Sequence, residues 1–448
     1  MLTISEAEAR AASLVDAARK AGADAADALY VAEGSTAIQV RLGELEDVQR
    51  SEGEEIGLRF FIGARSATVS SSDLSAEALK ALVERAAAMA REAPEDPYAG
   101  LAPKDRLLTG PGPDVDGDDG GDPLPAELKA RALRMEEVGR SAAGITNSEG
   151  AGVSAGRSVI ALATSHGFCR GYSSSGYGAY LGLIAGSGAG MQRDSASHHA
   201  RHLEDLDTPE ELGALAAERA VKRLNPAKLP SGAMPVVFDP RVGASLLGHL
   251  SGAITGSAIA RKTSFLLDRK GELVFAPGTI VRDDPLRRRG LRSRPFDGEG
   301  VATRPVDVIA DGRLTEWLLD SASARQLGLE PTGHATRGIG GSPGAGPTNL
   351  DMLPGTLGKE ELIRDIAHGV YVTELIGQGV NLVTGDYSRG ASGFIIDHGV
   401  IGSPVAEITI AGNLADMFRN ITPANDLELR RAINVPTLRV EGMTIAGA

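Results

Sequence analysis

The sequence predicts an α+β protein, with an N-terminal half that mixes helices with antiparallel sheets and a β-rich C-terminal domain. Three observations carry this. Up to about residue 224, stretches with the 3.6-residue apolar period of a helix alternate with shorter runs of period two. From Pro235 onward the chain turns to short apolar runs divided by glycines. With 57 glycines and only 4% aromatic residues, the composition suits close backbone packing and many turns.

In chain order, residues 6–21 read as an amphipathic helix stopped by Gly22. Residues 28–31, 36–42 and 45–49 alternate as strands, and 56–62 with 66–70 form a hairpin turned at 63–65. Asp73 precedes a long helix over 75–92. Residues 104–124, rich in Gly, Pro and Asp, lack any period and read as an exposed acidic connector. A helix over 125–141 follows. Strands at 145–151, 158–164, 167–174 and 176–185 are expected to build a second sheet, closed by a helix over 209–223. The expected domains are thus 1–103, the connector 104–124, a central region 125–224, a linker 225–234, and 235–448. Within the last, strands are expected at 278–281, 306–310, 314–318, 369–375, 394–397, 405–410 and 437–441, with Asp311-Gly312 as a hairpin turn.

The net charge of −13 disfavours nonspecific binding to nucleic acid or anionic membranes. Cys169 is the only cysteine, so neither an internal disulfide nor a thiolate metal cluster can form. The charged N-terminal helix lacks the apolar core of a secretion signal, and no run is long and apolar enough to span a membrane. The expected location is the cytoplasm.

The most telling segment is 239–262, DPRVGASLLGHLSGAITGSAIARK, after the strand-like Pro235-Val236-Val237-Phe238. Asp239 suits an N-cap and Pro240 the first helical position. Val242, Leu246, Leu247, Leu250, Ile254 and Ala258 recur at helical spacing. Gly248, Gly252 and Gly256 are then expected along one face of a single helix. Each interior glycine costs about 1 kcal/mol relative to alanine. Something is therefore expected to approach that face closely, either a segment of this chain or a partner. A helix after such a strand is also where many metallopeptidases carry two histidines and a glutamate. Here it carries only His249.

Other patterns are weaker. His198, His199 and His202 could bind metal on a helix, but their flanks read as a strand end and loop. Asp114, Asp116 and Asp118 mimic an EF-hand start, yet the sixth position is Asp119 and the twelfth Pro125. The glycines at 338–341 are no phosphate loop, and 171–176, GYSSSG, misses the nucleophile elbow by one residue. The acids Asp283, Asp284, Asp297 and Glu299 sit in Pro/Gly-rich loops, where capping of turns is expected.

Several segments together resemble the TldD/PmbA metallopeptidase family, in its PmbA (TldE) branch. They are 235–268 (PVVFDPRVGASLLGHLSGAITGSAIARKTSFLLD), 283–301 (DDPLRRRGLRSRPFDGEGV), 332–337 (TGHATR), 369–394 (GVYVTELIGQGVNLVTGDYSRGASGF) and 404–418 (PVAEITIAGNLADMF). Residues 50–75 and 95–102 add to the likeness, which runs over nearly the whole chain. The resemblance implies a cytosolic zinc peptidase complex of two related subunits. It acts on extended or unfolded peptides, including precursors of peptide antibiotics and antitoxins, and an older name makes this branch a modulator of DNA gyrase. TldD-type subunits carry HExxxH on the helix after the PVVFDP-like strand, and a further cysteine ligand near the C-terminus.

Matching Leu246-Leu247 to the residues before that motif places Gly248 at the first histidine, His249 at the glutamate and Ala253 at the second histidine. No C-terminal cysteine stands in LELRRAINV, between Asp426 and Pro436. The chain is therefore expected to hold no metal and no cofactor of its own, and to leave zinc to a TldD-type catalytic partner. Arg261, Asp386 and Ser388 are candidate substrate-binding residues, being polar groups inside the most family-like loops. Two other readings stay open: a regulatory homodimer with no peptidase role, and an independent hydrolase using another site such as the 198–202 histidines.

Overall fold

The computed structural model describes residues 1–447. Helix α1 (Ile4–Lys20) starts on a capping box in which Thr3 and Glu6 satisfy each other's backbone N–H groups. Strands β1 (Ala25–Arg41), β2 (Glu44–Ile62) and β3 (Arg65–Ser71) follow, then helix α2 (Ala76–Glu92) capped by Ser75. Helix α3 (Pro125–Ser141) leads to β4 (Ile145–Thr164), β5 (Cys169–Ala185), β6 (Gln192–Ala200) and helix α4 (Pro209–Lys222). The helices lie within a residue or two of their sequence-based bounds, because the apolar period there agrees with local start signals: side-chain caps at α1, α2 and α4 and a proline at the first position of α3. The short strands expected at 28–49 and 145–185 merge into four long ones.

The six strands form one antiparallel sheet, in the order β3-β2-β1-β4-β5-β6. The expected second sheet is not separate: β1 pairs with β4 from Asp27↔Thr164 to Val40↔Ala151. Even-numbered residues of β1 share one face. Ala28, Tyr30 and Ala32 pack under α1 and α2, while Ile38 and Val40 pack under α3 and α4. Two helix pairs thus cover the two ends of one sheet face. The opposite face, with Leu29 and Leu162, packs on Phe168 and on Phe296 of the C-terminal domain.

The connector is strapped down rather than free. Gly117 and Val115 carbonyls accept from the Ser175 and Arg289 amides at 2.9 and 2.8 Å. Asp116 pairs with Arg288 and Arg289, and Asp118 with Arg157. Asp119 accepts from the Tyr177 hydroxyl at 2.8 Å and the Leu203 amide at 3.0 Å. Residues 109–114 and 120–122 are exposed, as the composition suggests, while 115–119 are half-buried against partners far along the chain.

The C-terminal domain is built on strand β7 (Gly232–Phe238). It lies parallel to His368–Ile376 on one side and antiparallel to Leu438–Ala446 on the other. Strands Asp386–Asp397 and Val400–Asn413 continue from His368–Ile376. The pairing of Val400–Asn413 with Leu438–Ala446 then closes a ring of five strands. Asp311 and Gly312 form the expected hairpin turn, with φ of 49° and 75°. Its second strand is only Arg313–Leu314, shorter than expected. No helix among the described residues is long and apolar enough to cross a membrane.

Candidate functional site

Strand β7 delivers the chain into helix α5 (Pro240–Ala253). The Asp239 carboxylate accepts from the Arg241 amide at 3.0 Å and from the Tyr371 hydroxyl at 2.8 Å. Burial and the Asp239 charge push the Tyr371 hydroxyl well above its usual range. Arg241 reaches back to the first sheet, where Asp194 of β6 accepts both terminal nitrogens at 2.8 and 3.1 Å. Leu246, Leu247, Leu250 and Ala253 face the core. The helix is thereby fixed at its start by charge-assisted bonds and along its length by packing.

The single helix expected over 239–262 is in fact two. Thr255 is extended, and helix α6 (Gly256–Ala260) begins after it. The cause is tertiary. The Leu318 amide donates to the Ile254 carbonyl at 2.9 Å, and the Gly256 amide donates to the Leu318 carbonyl at 2.8 Å. These two strand-like bonds take the place of two helical ones. The glycine row is therefore not one face. A Cβ on Gly256 would stand 2.6 Å from Ser323 Cβ, in helix α7 (Ser321–Leu327). On Gly252 it would stand 3.1 Å from Leu382 Cδ1, and on Gly248 it would meet nothing within 4 Å.

His249 is half-buried beside Gly248, its ring edge-on to Tyr387 with centroids 6.1 Å apart. Its Nε2 and the Tyr387 hydroxyl are both buried without a hydrogen-bond partner. Burial, helped by Arg389, holds the His249 pKa below the usual imidazole range, and burial raises that of the Tyr387 phenol. Neither is a carboxylate, so the motif's glutamate has no counterpart here. Gly248 and Ala253 have no donor atom, and Ala253 is fully buried. Among the described residues no three His, Cys, Asp or Glu side chains converge as a metal ligand set. The zinc of a metallopeptidase does not fit the residues of this helix. Cys169 lies in β5, its thiol 3.4 Å from the Glu8 carbonyl and raised in pKa by burial.

The three candidate binding residues do not gather around His249. Asp386 and Ser388 flank Tyr387 on its strand, so they are exposed while Tyr387 is buried. Asp386 accepts from the Thr384 hydroxyl at 2.6 Å, and the Ser388 amide donates to the Gly379 carbonyl at 2.7 Å. Both residues tie down loop 377–385, which lays Leu382 over Gly252. Arg261 caps the end of α6, its Nε donating to the Ser257 carbonyl at 3.2 Å. The residues that do face His249, Tyr387 and Arg389, stand in the same GDYSRG segment. The period of two was the signal that separates them from their neighbours.

The rival histidines lie on and just beyond strand β6. His198 accepts from the Asp207 amide at 3.0 Å, His199 points to the other face, and His202 bonds the Asp116 carbonyl at 3.0 Å. The loop acids are more tightly engaged than turn capping alone. Asp297 accepts three amides, those of Glu299, Val301 and Ala335. Glu299 accepts from the Ser321 amide at 2.7 Å and lies 3.8 Å from Arg59 of β2. Arg59 and Arg337 converge on Asp27 of β1, all three side chains being at most 7% exposed. This charged cluster joins the sheet to the C-terminal domain. Burial pushes Glu299 up to about 7, against the pull of Arg59 and with a further push from Asp297.

Comparison with known proteins bears on the whole chain. Residues 231–447 match the PmbA/TldA metallopeptidase C-terminal domain, 118–224 its central domain and 26–90 its domain 1. The chain is 39% identical over 455 residues to Metalloprotease PmbA of Escherichia coli O157:H7, covering 100% of this chain and 99% of that one. Among solved structures it resembles a candidate modulator of DNA gyrase from Bacteroides thetaiotaomicron, with a TM-score of 0.91, 26% identity and full coverage of both chains. TldE of Thermococcus kodakarensis shares the fold, with a TM-score of 0.87 and 22% identity over 97% of this chain and 99% of that one.

Proposed function

The chain belongs to the PmbA/TldD metallopeptidase family, and from that premise we propose that it is the subunit without zinc, working beside a TldD-type catalytic chain. The observation that carries this reading is the state of helix α5. The positions matched to the two histidines are Gly248 and Ala253, and the position matched to the glutamate is His249. Gly248 faces open space while Ala253 is wholly buried. Positions five apart lie about 140° from each other on a regular helix. Side chains there diverge unless the helix is distorted, and this helix is regular through Ala253.

In this reading the partner supplies zinc, which activates water and polarises the peptide carbonyl. This chain supplies walls of the chamber around an extended peptide. Arg261, Asp386 and Ser388 are exposed polar groups that could meet the peptide, while Tyr387 packs edge-on against His249 beneath the strand that carries Asp386 and Ser388.

The test is to purify the chain alone and after co-expression with a TldD-type subunit, measuring bound zinc and hydrolysis of unfolded peptides. Zinc and activity are expected only in the mixed complex. Stoichiometric zinc with hydrolysis by the lone chain would defeat the reading.

A further inference from the structure

The first sheet leaves one long edge open. Strand β2 pairs with β1 along almost its whole length, from Glu44 to Phe61. On its other side it pairs with β3 only from Ile56 to Ile62. Residues 44–55 thus keep one edge without a strand partner, and no turn or loop backbone bond among the described residues reaches it. Their side chains are exposed, apart from a half-buried Asp47.

The edge is held in place before anything binds. The two turn residues, Leu42 and Gly43, have φ of 54° and 85°, as a tight hairpin requires. Their amides both donate, at 2.8 Å, to the carboxylate of Glu136 in α3. A register shift after Gln39 leaves Glu46 unmatched, so the regular part of the edge is 47–55. Proteins usually blunt such an edge with lysine, proline or a short strand. Here there is neither lysine nor proline, and residues 44–55 carry six carboxylates against the single Arg50. A second copy would bring the same acidic edge and be repelled.

A cleft of about 870 Å³ opens over the sheet face next to this edge, bounded by Arg50 and residues 52–55 of β2, by residues 33–36 of β1 and 155–157 of β4, by Ser72, Leu74 and Ser75 ahead of α2, and by residues 120–123. Five carboxylates line it, those of Glu33, Glu52, Glu54, Glu55 and Asp122, against the guanidinium groups of Arg10, Arg50 and Arg157. Free backbone groups, room for side chains and excess negative charge share one place.

We propose that the free edge of β2 at residues 47–55 binds an extended, lysine- or arginine-bearing peptide as an added strand. Main-chain bonds to the edge provide sequence-tolerant affinity, and the carboxylates select basic side chains. The proposal extends the peptide-handling role above, but the binding belongs to this chain alone. Loss of hydrolysis and loss of binding are therefore separate outcomes.

The probe is a fluorescent decapeptide of alternating lysine and valine, titrated against the full chain without partner at about 50 mM salt, where charge attraction is little screened. Saturable binding is expected, with hydrogen-exchange protection confined to 47–55. A glutamate–valine peptide should not bind. A lysine–valine peptide N-methylated on its central amides keeps its charge but cannot pair, and should also fail. Glu46→Lys with Glu55→Lys, both exposed and in no ion pair among the described residues, should weaken binding about tenfold with unchanged thermal melting. No saturable binding, equal binding of the N-methylated peptide, or protection elsewhere than 47–55 would overturn the proposal.

Discussion

The buried cluster at Asp27 predicts an asymmetry between its two sides. Arg59 Nε donates to both Asp27 oxygens at 3.1 and 2.9 Å, and Arg337 Nη1 donates to Oδ1 at 2.7 Å. The two guanidinium charges hold the Asp27 carboxyl below its usual range in spite of complete burial. Asp27→Asn keeps the shape but leaves two buried cations around a neutral amide. Glu299, at 3.8 Å from Arg59, is then the one carboxylate within 4 Å of either among the described residues. Removing one partner of a buried charge pair costs about 3–5 kcal/mol. At about 2.1 cal/mol/K per residue, a chain of 448 residues melting as one unit would lose about 4 °C. Arg337→Met is different. Asp27 retains Arg59, and Arg337 Nε and Nη2 are buried with no partner, so two unsatisfied donors leave with the side chain. Its expected cost is about 1–2 kcal/mol. Thermal and urea melts of both variants decide the matter. A loss under 1 kcal/mol for Asp27→Asn, or a larger loss for Arg337→Met, would refute the assignment of Asp27 as the charge on which the junction depends.

Two further outcomes follow from the same structure. Glu299 has its folded pKa raised from 4.5 to about 7 by burial, so the native state holds more protons than the unfolded state between those values. Its stabilisation is full below pH 4.5 and is lost as pH rises through 7, by about 3 kcal/mol at most. Glu299→Gln removes that slope. Its stability relative to the parent should therefore climb between pH 5 and pH 8 in urea titrations, and a difference that stays flat counts against the raised pKa. Gly248→Ala should stabilise by up to about 1 kcal/mol, since the new methyl enters open space on a helix. Gly256→Ala should destabilise by about 1–3 kcal/mol, because its methyl meets Ser323 Cβ at 2.6 Å and Leu319 Cδ2 at 2.8 Å. Equal melting shifts for the two would show that the faces are not distinct.

What the sequence revealed and what it hid divide along the range of the interactions. Helices α1 to α4 were legible because caps such as Thr3, Ser75 and Thr208, and the apolar period, act within a few residues. The long strands were harder. Stretches such as residues 50–55 and 152–157 fall outside the expected strands, and only pairing with a neighbouring strand makes them sheet. The connector's aspartates found arginines at 157, 288 and 289, partners that no local window contains. Within the candidate site, Gly248, His249 and Ala253 could be placed on α5 from the family-like segment. The period of two pairs Tyr387 with Arg389 and Asp386 with Ser388, but which of the two pairs turns toward α5 is decided by how the strand packs, which no local pattern contains.

The break in the helix after Ala253 shows how a correct local reading can still mislead. Leu250, Ile254 and Ala258 continue the helical period across it, and nothing in the segment is a helix breaker beyond its glycines. Two hydrogen bonds from Leu318 nevertheless hold Thr255 extended. Each replaces a helical bond with one of similar strength, so the exchange is nearly neutral and packing decides it. The break turns Gly256 onto Ser323 and Leu319 of the same chain, and leaves Gly248 alone facing outward. Three glycines that share one spacing therefore serve different ends. Gly256 is small because α7 presses on it, Gly252 because Leu382 does, and Gly248 for no contact within this chain. If close approach is the reason for a glycine at 248, the approaching group must come from outside the chain. Under the proposed reading, that group is an extended peptide or a partner backbone.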